Sequence, residues 1–591
     1  MADTSAPKTA LDRQLDPYAP SFLRALSGTM AILMGAMLVT GALLMTLYVP
    51  SPQQAWASVH YVSYKEPLGW LVRGVHHYAS HTMLVMSVVY VAVKLLAGDY
   101  TGRRKWTYFL TLGLIPAVLG LSVTGHLLPW DELGYWARKV ETNIVAMGPA
   151  GAQLAKLIQG GKDWGGVSLT RFYSLHVVAL PILFIALLWW ERRRSEGDAK
   201  AEDRVFAKGP EQTLRDIVLG TVVLTVVIVL ASMDHGAPLS GPADPNGDYP
   251  ARPEWFFMSL YQLRHYFHGA MEFWGTSLAP AALGGWLIAV PFVAGKSRQV
   301  AIGKRVALFA PLLVGLLAAG ILGRMARSND AADPAFQKAM AAADERRDVA
   351  VRIATDKGVP PEGPLAMFRK DVKWRGREVF RASCSSCHTL GPDDAAQIEQ
   401  KPGEQKKATA PALAKWSTRE WIVRVLHEPD HADLFGNTSY KGNMPSMDVK
   451  PEGADAEWKP MAKADMDAVA EFLFAEGRDP SDQPPAQIDE AKRKAGEDIV
   501  AKRCTMCHLY KGKGDDGSNE LAPELSGFGS YAWVRAQIEN PASKSTYREK
   551  ALDDERVKGH MPAFAEELSR DDLDILTKYV RARSRGLDLP K

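Results

Sequence analysis

Cysteine is scarce in this chain: four residues in 591, at Cys384, Cys387, Cys504 and Cys507. None falls in the long apolar first half, so no thiolate ligand or covalent cysteine attachment is available there. A charge bias is missing as well. Seventy Lys and Arg against 67 Asp and Glu leave a net charge of +3, which offers nucleic acid no electrostatic footprint. Nor does a cleavable signal precede the apolar region, since the first 20 residues are polar and mixed in charge.

All four cysteines belong to two copies of one motif, Cys384-Ser385-Ser386-Cys387-His388 and Cys504-Thr505-Met506-Cys507-His508. A bare Cys-X-X-Cys suits a redox dithiol or half of a zinc site. Here each pair is followed at once by histidine, and no cysteine is left to complete a zinc set. Two thiols three residues apart form thioethers to haem vinyl groups, and the adjacent His388 or His508 becomes the proximal iron ligand. Two covalently bound c-type haems are predicted. Gly442-Asn443-Met444-Pro445 and Gly559-His560-Met561-Pro562 follow, with Met444 and Met561 lying 57 and 54 residues after Cys387 and Cys507. Both segments resemble the Met-Pro loop of class I cytochromes c. Met444 and Met561 are the expected sixth ligands, with Met447 and His560 as alternates; a thioether sulfur favours ferrous iron.

Average composition hides a division. The first half carries seven stretches long enough to cross a hydrocarbon core as helices, near 22–48, 70–97, 107–125, 171–190, 215–232, 276–295 and 305–323. The second half is rich in Ala, Lys, Asp and Glu. Basic clusters follow the second span (Arg103, Arg104, Lys105), the fourth (Arg192, Arg193, Arg194) and the sixth (Lys296, Arg298, Lys304). The positive-inside rule places these loops and the N-terminus in the cytoplasm. An odd number of spans then puts the C-terminal half in the periplasm, the compartment where c-type haems are attached. The expected location is a bacterial inner membrane, crossed several times.

A haem held between two transmembrane helices needs a histidine from each. Arg73-Gly74-Val75-His76 opens the second span, and Arg171-Phe172-Tyr173-Ser174-Leu175-His176 opens the fourth. With Leu128-Pro129-Trp130-Asp131-Glu132 between them, residues 22–194 resemble the haem-binding half of cytochrome b from Rieske/cytochrome b complexes, nearest the b6f type. Residues 213–323 resemble subunit IV of that complex, where Pro253-Glu254-Trp255-Phe256 matches the family's Pro-Glu-Trp-Tyr except at its last position. The resemblance implies a quinol pocket on the periplasmic side, built by Pro253, Glu254 and Trp255, with Glu254 accepting the quinol's proton. A carboxylate beside an apolar pocket has the raised pKa this needs. Phe256 lacks the hydroxyl the family has there. Arg73 is expected to meet a haem propionate.

The chain departs from the family at the inner side of the membrane. Family members hold two haems b, one above the other. The second site on the second span falls 14 residues after His76, about 21 Å along the axis at 1.5 Å per residue, and that residue is Tyr90. On the fourth span the partner is Trp190 or Glu191. His77 and His81 lie at the other end of the membrane. One haem b is therefore predicted, ligated by His76 and His176, with the cytoplasmic-side haem absent. In the family one electron passes to a Rieske cluster and the other crosses the membrane through the two haems b. Here that second route is cut, so both electrons leave on the periplasmic side or a partner supplies a relay.

The expected fold is all-α, a seven-helix transmembrane cytochrome b bundle followed by two periplasmic class I cytochrome c domains. The expected divisions are 1–200 (b6-like), 201–325 (subunit IV-like), 326–370 (helical linker), 371–480 and 485–591 (cytochrome c). Residues 393–410 read as an inserted surface loop. The implied function is that of a quinol:cytochrome c oxidoreductase subunit. Its implied partners are a separate Rieske iron–sulfur protein, a periplasmic electron acceptor, membrane lipid and quinone, and, by family resemblance, a second copy of the chain. The competing reading is a redox-degenerate membrane anchor for a dihaem c wire.

Overall fold

In the computed structural model, residues 19–146, 150–161, 163–201, 210–269, 271–295, 300–391, 410–450, 458–514, 522–547 and 561–589 are described. The chain divides into two compact units, Met1–Met367 and Phe368–Lys591.

The first unit is helical. Its elements are α1 (Ala19–Met45), α2 (Ala55–Tyr64), α3 (Gly69–Ala97), α4 (Lys105–Leu127), α5 (Glu132–Ala146) and α6 (Gly151–Gln159). α7 (Gly166–Ser174) then runs through a π-helical turn, Leu175–Ala179, into α8 (Leu180–Ala201). α9 (Pro210–Met233), α10 (Met258–Arg264), α11 (Met271–Val293), α12 (Ile302–Ala332) and α13 (Pro334–Lys357) complete it. Seven of these segments are long and apolar enough to span a membrane, from Leu23–Met45 through Ile302–Ala332. A backbone in hydrocarbon must satisfy its own N–H and C=O groups, and continuous helices do so. Their outer faces expose large apolar side chains such as Val39, Ile182, Val222, Phe292 and Val314, as a lipid-facing surface requires.

Small residues set how closely the spans approach. Gly74 of α3 lies against Ala231 at the end of α9, and Gly28 of α1 faces Asp216 of α9, which Arg192 of α8 pairs at 2.9 Å. The loop after α9 is tied back to the turn after α4. Glu132 N–H donates to Gly241 O at 2.8 Å, Ala243 N–H to Trp130 O at 3.1 Å, and Ser240 N–H to Asp131 Oδ2 at 3.0 Å. Arg252 closes the same loop from the other side with a forked ion pair to Asp330 of α12 (Nη2···Oδ1 2.6 Å). These ties fix the backbone that carries Glu254. α13, inside the segment expected to be a linker, packs on α2, where Thr355 meets His60 Nε2 at 3.2 Å, and reaches the start of α5, where Arg346 pairs with Glu132 at 2.9 Å.

The second unit contains α14 (Val372–Ser383), α15 (Arg419–His427), α16 (Lys463–Glu476), α17 (Glu490–Ile499), α18 (Tyr531–Glu539) and α19 (Arg570–Arg585), with a two-stranded ribbon of Leu509–Tyr510 and Lys513–Gly514. The two haem motifs each follow a helix, α14 and α17. The packing of these helices is crossed. α14 packs on α19, the last helix of the other repeat: Gly376 sits where any Cβ would overlap Tyr579, and Arg375 Nε pairs with Asp572 at 2.7 Å. α17 packs on α16, the last helix of the first repeat, with Gly496 against Ala468 and Phe472. One apolar core runs through both repeats, from Phe380 and Trp421 to Trp533 and Tyr579.

Candidate functional site: a histidine-lined cavity and two cytochrome c motifs

His76 of α3 and His176 in the π-helical turn face each other with ring centres 6.1 Å apart. A metal held by two imidazole nitrogens at about 2 Å each leaves ring centres roughly 6 Å apart. In both rings Nδ1 is already engaged. His76 Nδ1 meets Thr40 Oγ1 at 2.9 Å, and His176 Nδ1 meets Leu121 O at 3.0 Å and Thr124 Oγ1 at 3.2 Å. Nδ1–H donation to oxygen fixes the tautomer that leaves Nε2 free for iron. Glycines make room for the rings: a Cβ on Gly41 would lie 3.2 Å from His76 Cε1, and one on Gly125 2.7 Å from His176 Cε1. These residues fit a bis-histidine haem. A π-helical turn such as the one carrying His176 is a recurrent device for aiming a functional side chain out of a helix.

The two histidines line a cavity of about 380 Å³, walled by Met37, Leu121, Pro129 and Val177 among others. Glu254 reaches into the same cavity, with its side chain 13% exposed. Its carboxyl pKa is pushed up to about 7, chiefly by burial; Arg138 pulls it down and Asp131 adds to the rise. Glu141, paired with Arg138 at 2.6 Å, is likewise raised by burial to about 7. Pro253 precedes Glu254 in the loop, and Trp255 donates its indole N–H to His81 Nδ1 at 2.9 Å. Phe256 stacks on His126. Arg73 also lines the cavity; its guanidinium donates to Ala237 O (2.7 Å), Pro238 O (2.6 Å) and Ser63 Oγ (3.1 Å), which clamps the loop leading to Glu254.

The inner position is packed differently. Tyr90 Oη donates to Glu191 Oε1 at 2.7 Å, and Lys94 Nζ pairs with the same oxygen at 2.8 Å. Asp99 lies 3.7 Å from Lys94 and 3.3 Å from Arg104. All five side chains are buried. Trp190 points elsewhere, 56% exposed. Between these helices, a hydrogen-bonded ion network stands where the resemblance would put a second pair of ligands.

The two Cys-X-X-Cys-His motifs share a geometry. His388 Nδ1 meets Pro411 O, and His508 Nδ1 meets Pro523 O, each at 2.8 Å. Each His N–H closes a turn onto the first cysteine's carbonyl, at 2.9 Å to Cys384 and 2.8 Å to Cys504. In both rings Nδ1 faces a backbone carbonyl, the arrangement that suits metal binding through Nε2. Cys384 is buried at the end of α14, and Cys387 is exposed. Met444 and Met561 pack at the margin of the core, and Gln537 Nε2 approaches Met561 Sδ at 3.8 Å. Met447 is a core residue instead, its backbone bonded to Leu426 and Met461. His560 and residues 393–409 lie outside the described residues.

Sequence reading missed one feature. His77 and His81 of α3 and His126 of α4 converge beside Glu254, with a ligand atom from each within 4.8 Å of the others. The signal for half of it was present, because residues four apart share a helix face. His126 had none.

A membrane bundle with paired imidazoles on facing helices, joined in sequence to two Cys-X-X-Cys-His modules, defines a membrane-bound cytochrome. Residues 16–190 match the cytochrome b/b6/petB family and residues 494–584 match cytochrome c. Cytochrome b6 of Synechocystis is 36% identical over 150 residues, which cover 25% of this chain and 68% of that protein. The cytochrome bc complex cytochrome b subunit of Chlorobaculum thiosulfatiphilum is 29% identical over 317 residues, covering 50% of this chain and 71% of the relative. A solved chain titled "Hyperthermophilic respiratory Complex III" aligns over 56% of this chain and 91% of its own, at 19% identity and a TM-score of 0.41. The chain belongs to the cytochrome b/b6 family and carries a cytochrome c domain at its C-terminal end.

Proposed function

We propose that this chain is the membrane subunit of a quinol-oxidising electron-transfer complex with a single haem b, held by His76 and His176. The observation that carries the reading is the shared cavity: the two imidazoles and the Glu254 carboxyl open onto one apolar space. Haem in such a site would accept electrons and pass them on. Glu254 would take the proton that a quinol must lose with each electron. Its pKa near 7 matches that task, since a general base works best when its pKa lies near the ambient pH. Arg73 holds the loop that aims Glu254, and is itself positioned to meet an anionic group in the cavity.

The relative from Chlorobaculum is a subunit of a bc complex. On that footing a separate Rieske protein would take the first electron, and the dihaem arm at Cys384–His388 and Cys504–His508 would carry electrons to a periplasmic acceptor. The Tyr90–Glu191–Lys94 network argues that no second haem b bridges the membrane. Alkaline pyridine haemochrome spectra of the purified protein test this directly. One b to two c is expected. Two b to two c would restore a continuous path between the two faces and overturn the single-haem reading. Quinol-dependent reduction of the c haems, slowed roughly 10²-fold in Glu254→Gln, is the accompanying activity test.

A further inference from the structure

The cluster of His77, His81 and His126 is unused by the function proposed above, and its chemistry is that of a metal site. We propose that these three imidazoles bind one zinc-class divalent ion, with Glu254 as the outer carboxylate that orients His126. His77 and His81 lie four residues apart on α3, the spacing that puts two imidazoles on one helix face in zinc enzymes. His126 comes from the last turn of α4. His81 Nε2 and His126 Nε2 are 3.5 Å apart. That matches the edge of a tetrahedron around zinc, roughly 3.4 Å when each Zn–N bond is about 2.0–2.1 Å. The third ligand atom lies within 4.8 Å of the others, close enough to be reached by side-chain rotation.

The outer partners fit as well. His126 Nδ1 is buried without a hydrogen-bond partner, and Glu254 Oε1 sits 3.6 Å from it, just beyond bonding range. When Nε2 binds a metal, Nδ1 carries the proton and needs an acceptor. A carboxylate at that nitrogen is the usual one. Imidazole donors suit zinc, copper, iron and nickel; three of them with one position open is a common zinc arrangement. His77 and His126 both line the cavity, so the open position faces it.

One present bond opposes the ion. Trp255 donates to His81 Nδ1, which places the His81 proton on Nε2, where the metal would bind. Binding moves that proton to Nδ1 and releases the Trp255 indole. The ion therefore competes with a hydrogen bond made by the Pro-Glu-Trp-Phe segment, and at the same time draws Glu254 toward His126. If the quinol reading holds, an occupied site withdraws the proton acceptor and slows quinol oxidation. That consequence rests on the quinol reading; the metal site does not.

The test uses the full-length, haem-loaded protein, stripped with a chelator, dialysed against zinc chloride and analysed by elemental mass spectrometry. One zinc per haem b is expected. Zinc K-edge X-ray absorption on the same wild-type sample is expected to give three imidazole nitrogens at about 2.0 Å. His81→Ala and His126→Ala are expected to lose the zinc while keeping the haem b absorption band. Trp255→Phe is expected to bind zinc roughly fivefold more tightly, the equivalent of one hydrogen bond. Wild-type protein that retains no stoichiometric zinc, an absorption spectrum with fewer than three imidazoles, or equal retention in haem-replete His81→Ala and His126→Ala would overturn the proposal. Because zinc is counted without turnover, a failed quinol assay leaves this result standing, and the reverse is also true.

Discussion

The hydroxyl of Tyr90 and the carboxylate of Glu191 lie 2.7 Å apart across two membrane helices, and Lys94 approaches the same oxygen at 2.8 Å. A buried carboxylate needs such partners, because removing it from water costs several kcal/mol unless charge and hydrogen bonds offset the loss. Lys94→Met should therefore destabilise the bundle by about 3–5 kcal/mol, the usual result of leaving one buried ion unpaired. The double variant Lys94→Met/Glu191→Leu should recover most of that loss. Thermal unfolding in detergent reads both, and additive losses in the double variant would count against the pair.

Gly125 offers a sharper probe of the upper site. A methyl group there would stand 2.7 Å from His176 Cε1, inside the contact distance real side chains keep. Gly125→Ala is expected to displace the ring and remove haem b while both c haems remain. Gly35→Ala, in open space on α1, is the matched control and should leave the spectrum unchanged. Reduced-minus-oxidised spectra distinguish the two.

Glu254 should set the pH dependence of turnover. Burial holds its pKa near 7, so below that pH it is already protonated and accepts nothing. Rate is expected to rise with pH through about 7 and then level off. Glu254→Gln should lower the rate roughly 10²-fold and flatten that limb. A profile for the variant that keeps the same acid limb would assign it to another group.

The crossed packing in the second unit makes a prediction about folding. Tyr579, 2% exposed, fills the space that Gly376 leaves open in the other repeat. Tyr579→Ala should cost about 3–5 kcal/mol, as for other large aromatic truncations. Its effect should fall on both repeats, seen as one cooperative transition of the isolated Phe368–Lys591 unit. Residues 368–483 expressed alone should not hold a native fold. Two separate transitions would show the repeats to be independent.

What could be read from the sequence was local. The seven spans are continuous apolar runs, and the structure has seven helices of that kind among the described residues. The Cys-X-X-Cys-His motifs carry their chemistry in five consecutive residues. His76 and His176 stood out because the resemblance named their helices, and the structure brings them together. What escaped depends on pairing at a distance. Lys94 and Glu191 meet across 97 positions, and His126 joins His81 from 45 positions away. Neither pairing has a spacing rule. The helix crossing was also illegible: two similar repeats present similar apolar faces, and periodicity cannot say which copy each helix will choose.

That crossing also bears on how the protein is made. α14 emerges from the ribosome early in the second unit, yet the helix it packs against, α19, is the last described helix of that unit. The first Cys-X-X-Cys-His therefore stays without its native support until α19 has been made. For haem to be attached at both motifs, Cys384 and Cys387 would stand in an open chain for longer than Cys504 and Cys507. Order of synthesis, written into the packing of one helix, would favour loading a haem at the first motif before the unit closes around it.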